Sequence, residues 1–260
     1  MKVVIFCGGL GTRLREHSET IPKPLVPIGE RPILWHLMKY YAYYGHTDFV
    51  LCLGYKGHLI KDYFLNYQPA QSSDFILERG EIRILNSQSD VNDWRITFLD
   101  TGLHANIGQR FLRAREYLEN EDMFLLNYGD QLSDLPLDEH IARFHKSTAT
   151  GCFAAVKPSS QSFHAVTIND DDVVETIRPI AHSDVWVNGG YMVLRSKIFD
   201  YIKEGEELVD EPFDRLIAER ALQGYRYDGF WKAMDTFKDK ITLDRMHGAG
   251  DTPWAVWQSS

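Results

Sequence analysis

The sequence is poor in the features that mark several large classes of protein. Its three cysteines lie far apart in apolar runs, so we predict neither a disulfide framework nor a zinc site. No apolar run is long enough to span a membrane, and Gly8 and Gly9 interrupt the first one, so we expect no signal peptide. Lysine and arginine total 28 against 37 acidic residues, without a basic cluster. We therefore expect a cytoplasmic protein that binds neither nucleic acid nor a membrane.

Two common phosphate-binding motifs are also missing. The sequence has neither the GxGxxG spacing of dinucleotide-binding proteins nor the GxxxxGK[ST] of a P-loop. It shows no internal repeat, no low-complexity linker, and no histidine pair at zinc-ligand spacing. With 44% hydrophobic and 25% charged residues, the composition is that of an ordinary globular protein.

Predicted strands and helices alternate along most of the chain. This order favours an α/β fold, a Rossmann-like and mostly parallel sheet flanked by helices. Two half-exposed strands (81–85 and 94–99) flank a polar loop, and an acidic turn at 169–172 joins two short strands in a small β-rich lid. Buried-type strands are predicted at 3–6, 49–53, 123–126, 151–156 and 191–194. Helices are predicted at 32–45, 61–67, 108–119, 136–145, 198–202, 212–223 and 237–246.

The loop after the first strand has the composition of an anion-binding turn. Gly8, Gly9 and Gly11 allow the backbone to approach a ligand closely, and Arg13 adds a forked cationic donor. Lys23 lies between two prolines, which stiffen its segment. We interpret this region as the phosphate clamp of a nucleotide site. A plain glycine-rich turn with a surface arginine is the alternative that the local pattern leaves open.

A longer series of motifs resembles one known family. The residues from Gly8 to Leu14, followed by those from Pro22 to Gly29, are similar to the signature of the sugar-1-phosphate nucleotidylyltransferases. Within that family the chain most resembles the glucose-1-phosphate cytidylyltransferases. The resemblance runs over nearly the full length. Its further motifs stand in the family's order at 32–36, 54–57, 100–102, 128–130, 188–190 and 230–236.

The resemblance implies an activity and an organisation. A sugar 1-phosphate, most simply glucose 1-phosphate, would attack the α-phosphorus of CTP in line, giving a CDP-sugar and pyrophosphate without a covalent intermediate. It also implies a homo-oligomer. The chain is expected to form one nucleotidyltransferase domain over 1–260. We divide it into a nucleotide-binding core at about 1–157, a sugar-binding lid part at about 158–240, and a C-terminal helix and tail at 241–260.

The same resemblance assigns the nucleotide side of the site. Asp130 and Asp235 would hold Mg²⁺, while Arg13 and Lys23 would contact the triphosphate; we take Arg13, Lys23 and Asp130 as catalytic. Local patterns alone would instead make Asp130 a turn residue, Asp235 a helix N-cap and Arg110 a solvated surface arginine. The nucleotide-binding set implied is Phe6, Cys7, Gly8, Gly9, Leu10, Gly11, Thr12, Arg13, Lys23, Ala105, Arg110 and Gly129.

The sugar side departs from the family pattern. A Glu-Lys-Pro stretch of the family is replaced by Ile177, Arg178 and Pro179, and Arg178 can still bind a phosphate in bidentate fashion. His164 stands where the family tends to have glycine, so it either fills space, adds a hydrogen bond, or is simply a half-buried surface histidine. The implied sugar-phosphate-binding set is Asn188, Gly189, Glu211, Arg178 and His164.

Three other functions compete with this interpretation. The first keeps the reaction but uses another nucleotide, such as UTP or dTTP, or another phosphorylated acceptor. The second is a non-catalytic nucleotide-sugar sensor, which the substitutions in the lid suggest. The third is a metal-dependent glycosyltransferase, but the sequence has no clear DxD motif after a core strand.

Overall fold

A computed structural model of the chain describes residues 1–9, 20–85, 91–158 and 163–258. Its helices are α1 (Ile33–Tyr43), α2 (Gly57–Leu65), α3 (Ile107–Ala114), α4 (Leu137–His145), α5 (Glu211–Ala218) and α6 (Phe237–Gly248). Its strands are β1 (Lys2–Cys7), β2 (Pro27–Ile28), β3 (Arg31–Pro32), β4 (Asp48–Leu53), β5 (Phe75–Glu78), β6 (Glu81–Ile84), β7 (Arg95–Asp100), β8 (Met123–Asn127), β9 (Gln131–Ser133), β10 (Gly151–Val156), β11 (His164–Ile168), β12 (Val174–Pro179), β13 (Val187–Asn188), β14 (Met192–Arg195), β15 (Leu222–Tyr227) and β16 (Trp231–Ala233).

The central sheet is mixed but mostly parallel. Neighbouring strands follow the order β7-β4-β1-β8-β14-β10, with β15 paired to β10. Strand β14 is antiparallel to both β8 and β10, and β13 is antiparallel to the far end of β10. All the other sheet strands therefore point the same way, so their carboxyl ends share one edge. The predicted α/β class with a mostly parallel sheet is confirmed.

Alternation along β1 divides the core into two layers. Val3 and Ile5 pack on the side of the sheet that carries α1, whereas Val4 and Phe6 face the side that carries α3. All four side chains are nearly inaccessible to solvent. The continuous apolar run in the sequence thus reflects a strand covered on both faces.

The strand predicted at 81–85 is observed as β6, but the predicted helix over 212–223 is too long. Strand β6 pairs with β5 in a hairpin separate from the central sheet, and the two-residue turn at Arg79 and Gly80 has positive φ at both positions. The helix predicted over 212–223 ends early, because Arg220 takes a left-handed conformation and the chain continues as β15 beside β10. The lid hairpin, β11–β12, is observed as predicted.

The C-terminal segment fixes the region around Lys23. The hairpin β2–β3 follows Lys23, and the ring of His247 in α6 fills the space that a side chain on Gly29 would need. The ring of His36 packs edge to face against both His247 and Trp254. Among the described helices, none combines the length and the apolar character that a membrane span requires.

The buried histidine of α4 predicts a pH dependence of stability. Burial lowers the pKa of His140 from 6.5 to about 4, so below pH 6.5 the unfolded chain binds a proton that the folded chain does not. Folding stability should therefore fall as the pH drops from 6.5 towards 4. Between pH 7.5 and pH 5, the unfolding free energy of the wild type should decrease by about 2 kcal/mol more than that of His140→Leu. Urea unfolding at the two pH values measures the difference.

The exposed His145 in the same helix provides the matched control. His145→Leu controls for the loss of an imidazole from this helix, and it should change the unfolding free energy at pH 7.5 by less than about 0.5 kcal/mol. Equal pH dependence in wild type and His140→Leu would contradict the assignment of a neutral buried ring.

Candidate active site

Three charged side chains meet at the carboxyl edge of the sheet. Asp130 lies between β8 and β9, and Asp235 follows β16. Because β9 and β16 are antiparallel with Gln131 opposite Ala233, the two aspartates are brought side by side, and the N–H of Met234 donates to the carbonyl of Asp130 at 2.9 Å. Lys23 enters from a short 3₁₀ turn and completes the group.

The ammonium of Lys23 bridges the two carboxylates. Its Nζ lies 2.5 Å from Oδ2 of Asp130 and 2.8 Å from Oδ1 of Asp235. Burial acts to lower the pKa of Lys23, but the two negative charges outweigh it and raise the pKa above its usual value. Lys23 is therefore held in its charged form. The arrangement is a pair of carboxylates converging on one cation.

Asp235 is not the N-cap of α6, which was the alternative from the local sequence. The N-cap is Thr236, whose hydroxyl accepts from the N–H of Asp239 while the Asp239 carboxylate accepts from the N–H of Thr236. This capping box leaves the carboxylate of Asp235 directed at Lys23, with 40% of its side chain exposed.

Arg110 joins the loops that surround the neighbouring part of the edge. Its Nη1 donates to the carbonyls of Leu53 and Gly102 and to the hydroxyl of Thr101, and its Nη2 donates to the carbonyls of Gly8 and Leu103. The residue is only 4% exposed, and burial lowers its pKa. The alternative of a solvated surface arginine is therefore wrong. The guanidinium links the loops after β1, β4 and β7.

A cleft of about 580 Å³ opens over these groups. The Lys23 cluster lies in its wall together with the first turn of α3 and the end of β1. A cavity of this size is within the range of small-molecule sites. Its lining residues are Phe6, Gly8, Gly9, Lys23, Ala105, Asn106, Ile107, Arg110, Tyr128, Asp130, Gln131, Glu207 and Asp235.

Beside the cleft, the backbone between Tyr128 and Asp130 requires a glycine at position 129. Gly129 has a φ of +82°, and a Cβ there would lie 2.5 Å from the carbonyl oxygen of Phe6. The amide of Asn188 donates to the hydroxyl of Tyr128 at 3.1 Å, and the indole N–H of Trp231 donates to the carbonyl of Gly189 at 2.9 Å. These bonds attach the segment between β13 and β14 to Tyr128, which lines the cleft, and to Trp231.

Several residues implied by the family pattern lie apart from this cleft. Arg178 and His164 are exposed on the lid hairpin. Arg178 pairs with Ala165, the neighbour of His164, so Arg178 and His164 project from opposite faces of the hairpin. Glu211 is exposed at the start of α5. The thiol of Cys7 is buried in the core, so only its backbone is available to a ligand. The residues Leu10, Gly11, Thr12 and Arg13 lie outside the described ranges.

The sequence analysis did not assign five of the lining residues to the site: Asn106, Ile107, Tyr128, Gln131 and Glu207. The last two carry polar side chains of particular interest. Glu207 lies in the loop before α5, and both of its carboxylate oxygens accept from the N–H of Ile107 at 3.2 Å, at the start of α3. Gln131 follows Asp130 and lines the cleft beside it. Neither residue belongs to a local motif, so only the position of Gln131 next to Asp130 could have suggested it.

Asp130 and Asp235 also fit a divalent cation. They place carboxylate oxygens within 2.8 Å of a single point, the Nζ of Lys23, at the partly open edge of a cleft. Mg²⁺ is commonly held by one or two carboxylates, with substrate phosphates and water as its other ligands. Within the described ranges no group of three or more histidine, cysteine or acidic side chains forms a complete metal cage. This donor set suits a cation that arrives with a phosphate ligand.

Sequence comparison places the chain in a family. A model of the nucleotidyl transferase family matches residues 2–239, so the chain is a member of that family. It is 40% identical to a probable glucose-1-phosphate cytidylyltransferase of Bacillus subtilis (strain 168), over 99% of this chain and 100% of the relative. It is 37% identical to the glucose-1-phosphate cytidylyltransferase of Salmonella typhimurium, again over 99% and 100%. The resemblance inferred from the motifs is thereby confirmed.

Solved structures share the fold. HddC from Yersinia pseudotuberculosis aligns with a TM-score of 0.66 at 21% identity, covering 95% of this chain and 99% of that one. A putative glucose-1-phosphate thymidylyltransferase from Bacillus anthracis aligns with a TM-score of 0.65 at 17% identity, over 95% and 94%. At these identities the likeness concerns the fold alone.

The network of Arg110 predicts a structural cost for its removal. Arg110→Met would remove the hydrogen bonds that the guanidinium donates to three loops, so the unfolding free energy should fall by about 2 kcal/mol or more. Urea unfolding measures the change. Arg113→Met, at an exposed position of the same helix, should change stability by less than about 0.5 kcal/mol. Equal stability of the two variants would contradict the structural role.

Proposed function

We propose that the chain transfers a cytidylyl group from CTP to a sugar 1-phosphate, releasing pyrophosphate. The single observation that carries this proposal is the Lys23–Asp130–Asp235 cluster in the cleft of a nucleotidyl transferase family member. Relatives that match over the full length and carry glucose-1-phosphate cytidylyltransferase names support CTP and glucose 1-phosphate as the substrates to test first.

Asp130 and Asp235 would hold Mg²⁺ together with phosphate oxygens of the nucleotide. When bound there, the cation would neutralise the charge of the triphosphate and of the leaving pyrophosphate. The two carboxylates fix its place at the sheet edge, because β9 and β16 hold them in register. Lys23, kept charged by its raised pKa, would donate to a phosphate oxygen from its place beside the carboxylates.

The remaining chemistry is positioning. The sugar phosphate oxygen must approach the α-phosphorus opposite the leaving pyrophosphate, and no side chain needs to form a bond to phosphorus. The backbone of Gly8 and Gly9 would contact the nucleotide, with Arg110 holding that loop through the carbonyl of Gly8. Arg13 is proposed as a second triphosphate ligand on the strength of the family pattern alone.

The acceptor would lie on the part of the wall formed by Tyr128, whose hydroxyl accepts from Asn188; Asn188 and Gly189 themselves are outside the described lining. This acceptor wall adjoins Asp130, so a phosphate on the acceptor could reach the nucleotide from it. Arg178, His164 and Glu211 stay predictions for the sugar phosphate, since they are exposed outside the described lining. Assembly into a homo-oligomer and a cytoplasmic location also stay predictions.

The choice of nucleotide is tested by pyrophosphate release. With Mg²⁺ and glucose 1-phosphate, the purified protein should release pyrophosphate with CTP and at least tenfold more slowly with UTP, dTTP, ATP or GTP. Equal or better turnover with UTP or dTTP would contradict the CTP assignment. No release with any pair of nucleotide and sugar phosphate would instead favour the nucleotide-sugar sensor.

The carboxylates are tested by isosteric substitution. Asp130→Asn and Asp235→Asn keep the shape of the side chain but remove the charge that holds a divalent cation, so kcat should fall by about a hundredfold or more. Asp62→Asn, an exposed aspartate on α2, should leave kcat unchanged. Full activity in either cleft variant would rule out that residue as a metal ligand.

A further inference from the structure

The side chain of Gln131 occupies an unusual position in the cleft wall. It is only 8% exposed, and its carboxamide oxygen is buried without a hydrogen-bond donor among the described residues. A buried polar atom without a partner costs folding stability, typically about 1–3 kcal/mol, so native proteins keep few of them. The strand β9 thus carries a group that the fold itself does not satisfy.

The surrounding backbone is shaped to admit this group. A Cβ on Gly190 would lie 2.4 Å from Oε1 of Gln131, so any side chain at position 190 would force the carboxamide to shift from this place. The next residue, Tyr191, also has a positive φ of 47°, which is rare for an aromatic side chain. Its hydroxyl donates to the backbone carbonyl of Gln131 at 3.1 Å. The backbone of Gln131 is therefore held, while its carboxamide oxygen has no hydrogen bond among the described residues.

The position of the carboxamide decides which substrate it meets. Gln131 follows Asp130 in the chain, and its Oε1 lies beside Gly190, which is also close to the ring of Tyr128. Tyr128, Asp130 and Gln131 all line the cleft, and Tyr128 belongs to the proposed acceptor wall. The glutamine end group can both accept and donate, and its terminal torsion is soft. A small turn would present either its oxygen or its NH₂ to a ligand in the cleft. Sugar hydroxyl groups likewise accept and donate.

We propose that Gln131 determines acceptor specificity, by hydrogen bonding through its carboxamide to a hydroxyl group of the sugar. The inference rests on the proposed function, since it assigns a residue to the acceptor half of that site. A pocket built to bond a hydroxyl group discriminates strongly against analogues that lack it, because its own polar group is then left unpaired. Gln131 would pair fully only when the correct sugar is bound.

Gln131→Leu separates this role from a structural one. Because the variant removes an unsatisfied buried group, its melting temperature without ligand should equal or exceed that of the wild type. Calorimetric titration should show affinity for CDP-glucose reduced by about ten- to hundredfold, with affinity for CDP changed less than twofold. Gln223→Leu, the same change at an exposed site on β15, should alter none of these values.

A cycle with deoxy analogues identifies the hydroxyl group. One monodeoxy analogue of glucose 1-phosphate should lower the kcat/KM of the wild type by about the same factor as Gln131→Leu lowers kcat/KM for glucose 1-phosphate itself. The Gln131→Leu variant should use that analogue and glucose 1-phosphate with equal kcat/KM. Additive losses on every analogue would overturn the inference. So would a lower melting temperature together with equal weakening of CDP and CDP-glucose.

Different results would refute the proposed function and the assignment of Gln131. If the wild type releases no pyrophosphate and binds neither CDP nor CDP-glucose, the transferase proposal is wrong, and the assignment of Gln131 to an acceptor sugar is wrong with it. If the wild type is active and Gln131→Leu binds CDP-glucose as the wild type does, only the assignment of Gln131 is wrong.

Discussion

The site depends on the attraction between one ammonium and two carboxylates. Asp130 and Asp235 would repel each other across the β9–β16 ladder, and the charge of Lys23 offsets that repulsion at 2.5 and 2.8 Å. In the sequence, Lys23 lies 107 positions before Asp130 and 212 positions before Asp235. Three distant parts of the sequence are therefore joined at the sheet edge by charge, and any triphosphate entering the cleft meets this cluster.

The rest of the fold serves to hold that cluster in place. Parallel strands deliver their carboxyl ends to one edge, and the buried guanidinium of Arg110 ties together the loops that follow β1, β4 and β7. On the opposite side, α6 packs on the hairpin that follows Lys23, through His247 and Gly29. The positions of the charged groups are thus fixed by hydrogen bonds and packing before any substrate arrives, which is what catalysis by positioning requires.

Periodicity and family motifs predicted the sheet, its parallel strands and the pairing of Asp130 with Asp235. They failed where conformation departs from residue preference. Arg220 ends α5 in a left-handed conformation that sequence reasoning expects of glycine, and the turn of the β5–β6 hairpin begins with Arg79 instead of asparagine or aspartate. Glu207 and Gln131 reach the cleft through tertiary packing, which no local pattern encodes. Arg110 could be recognised as important, but not as a buried link between loops.

The central claim is that Asp130 and Asp235 form a cation site that works with a nucleotide. Manganese binding followed by electron paramagnetic resonance, with and without CTP, tests this most directly. The account predicts that CTP strengthens Mn²⁺ binding in the wild type, and that Asp130→Asn or Asp235→Asn weakens binding in the presence of CTP at least tenfold. Binding of Mn²⁺ and CTP that is equal in the wild type and both variants would contradict it.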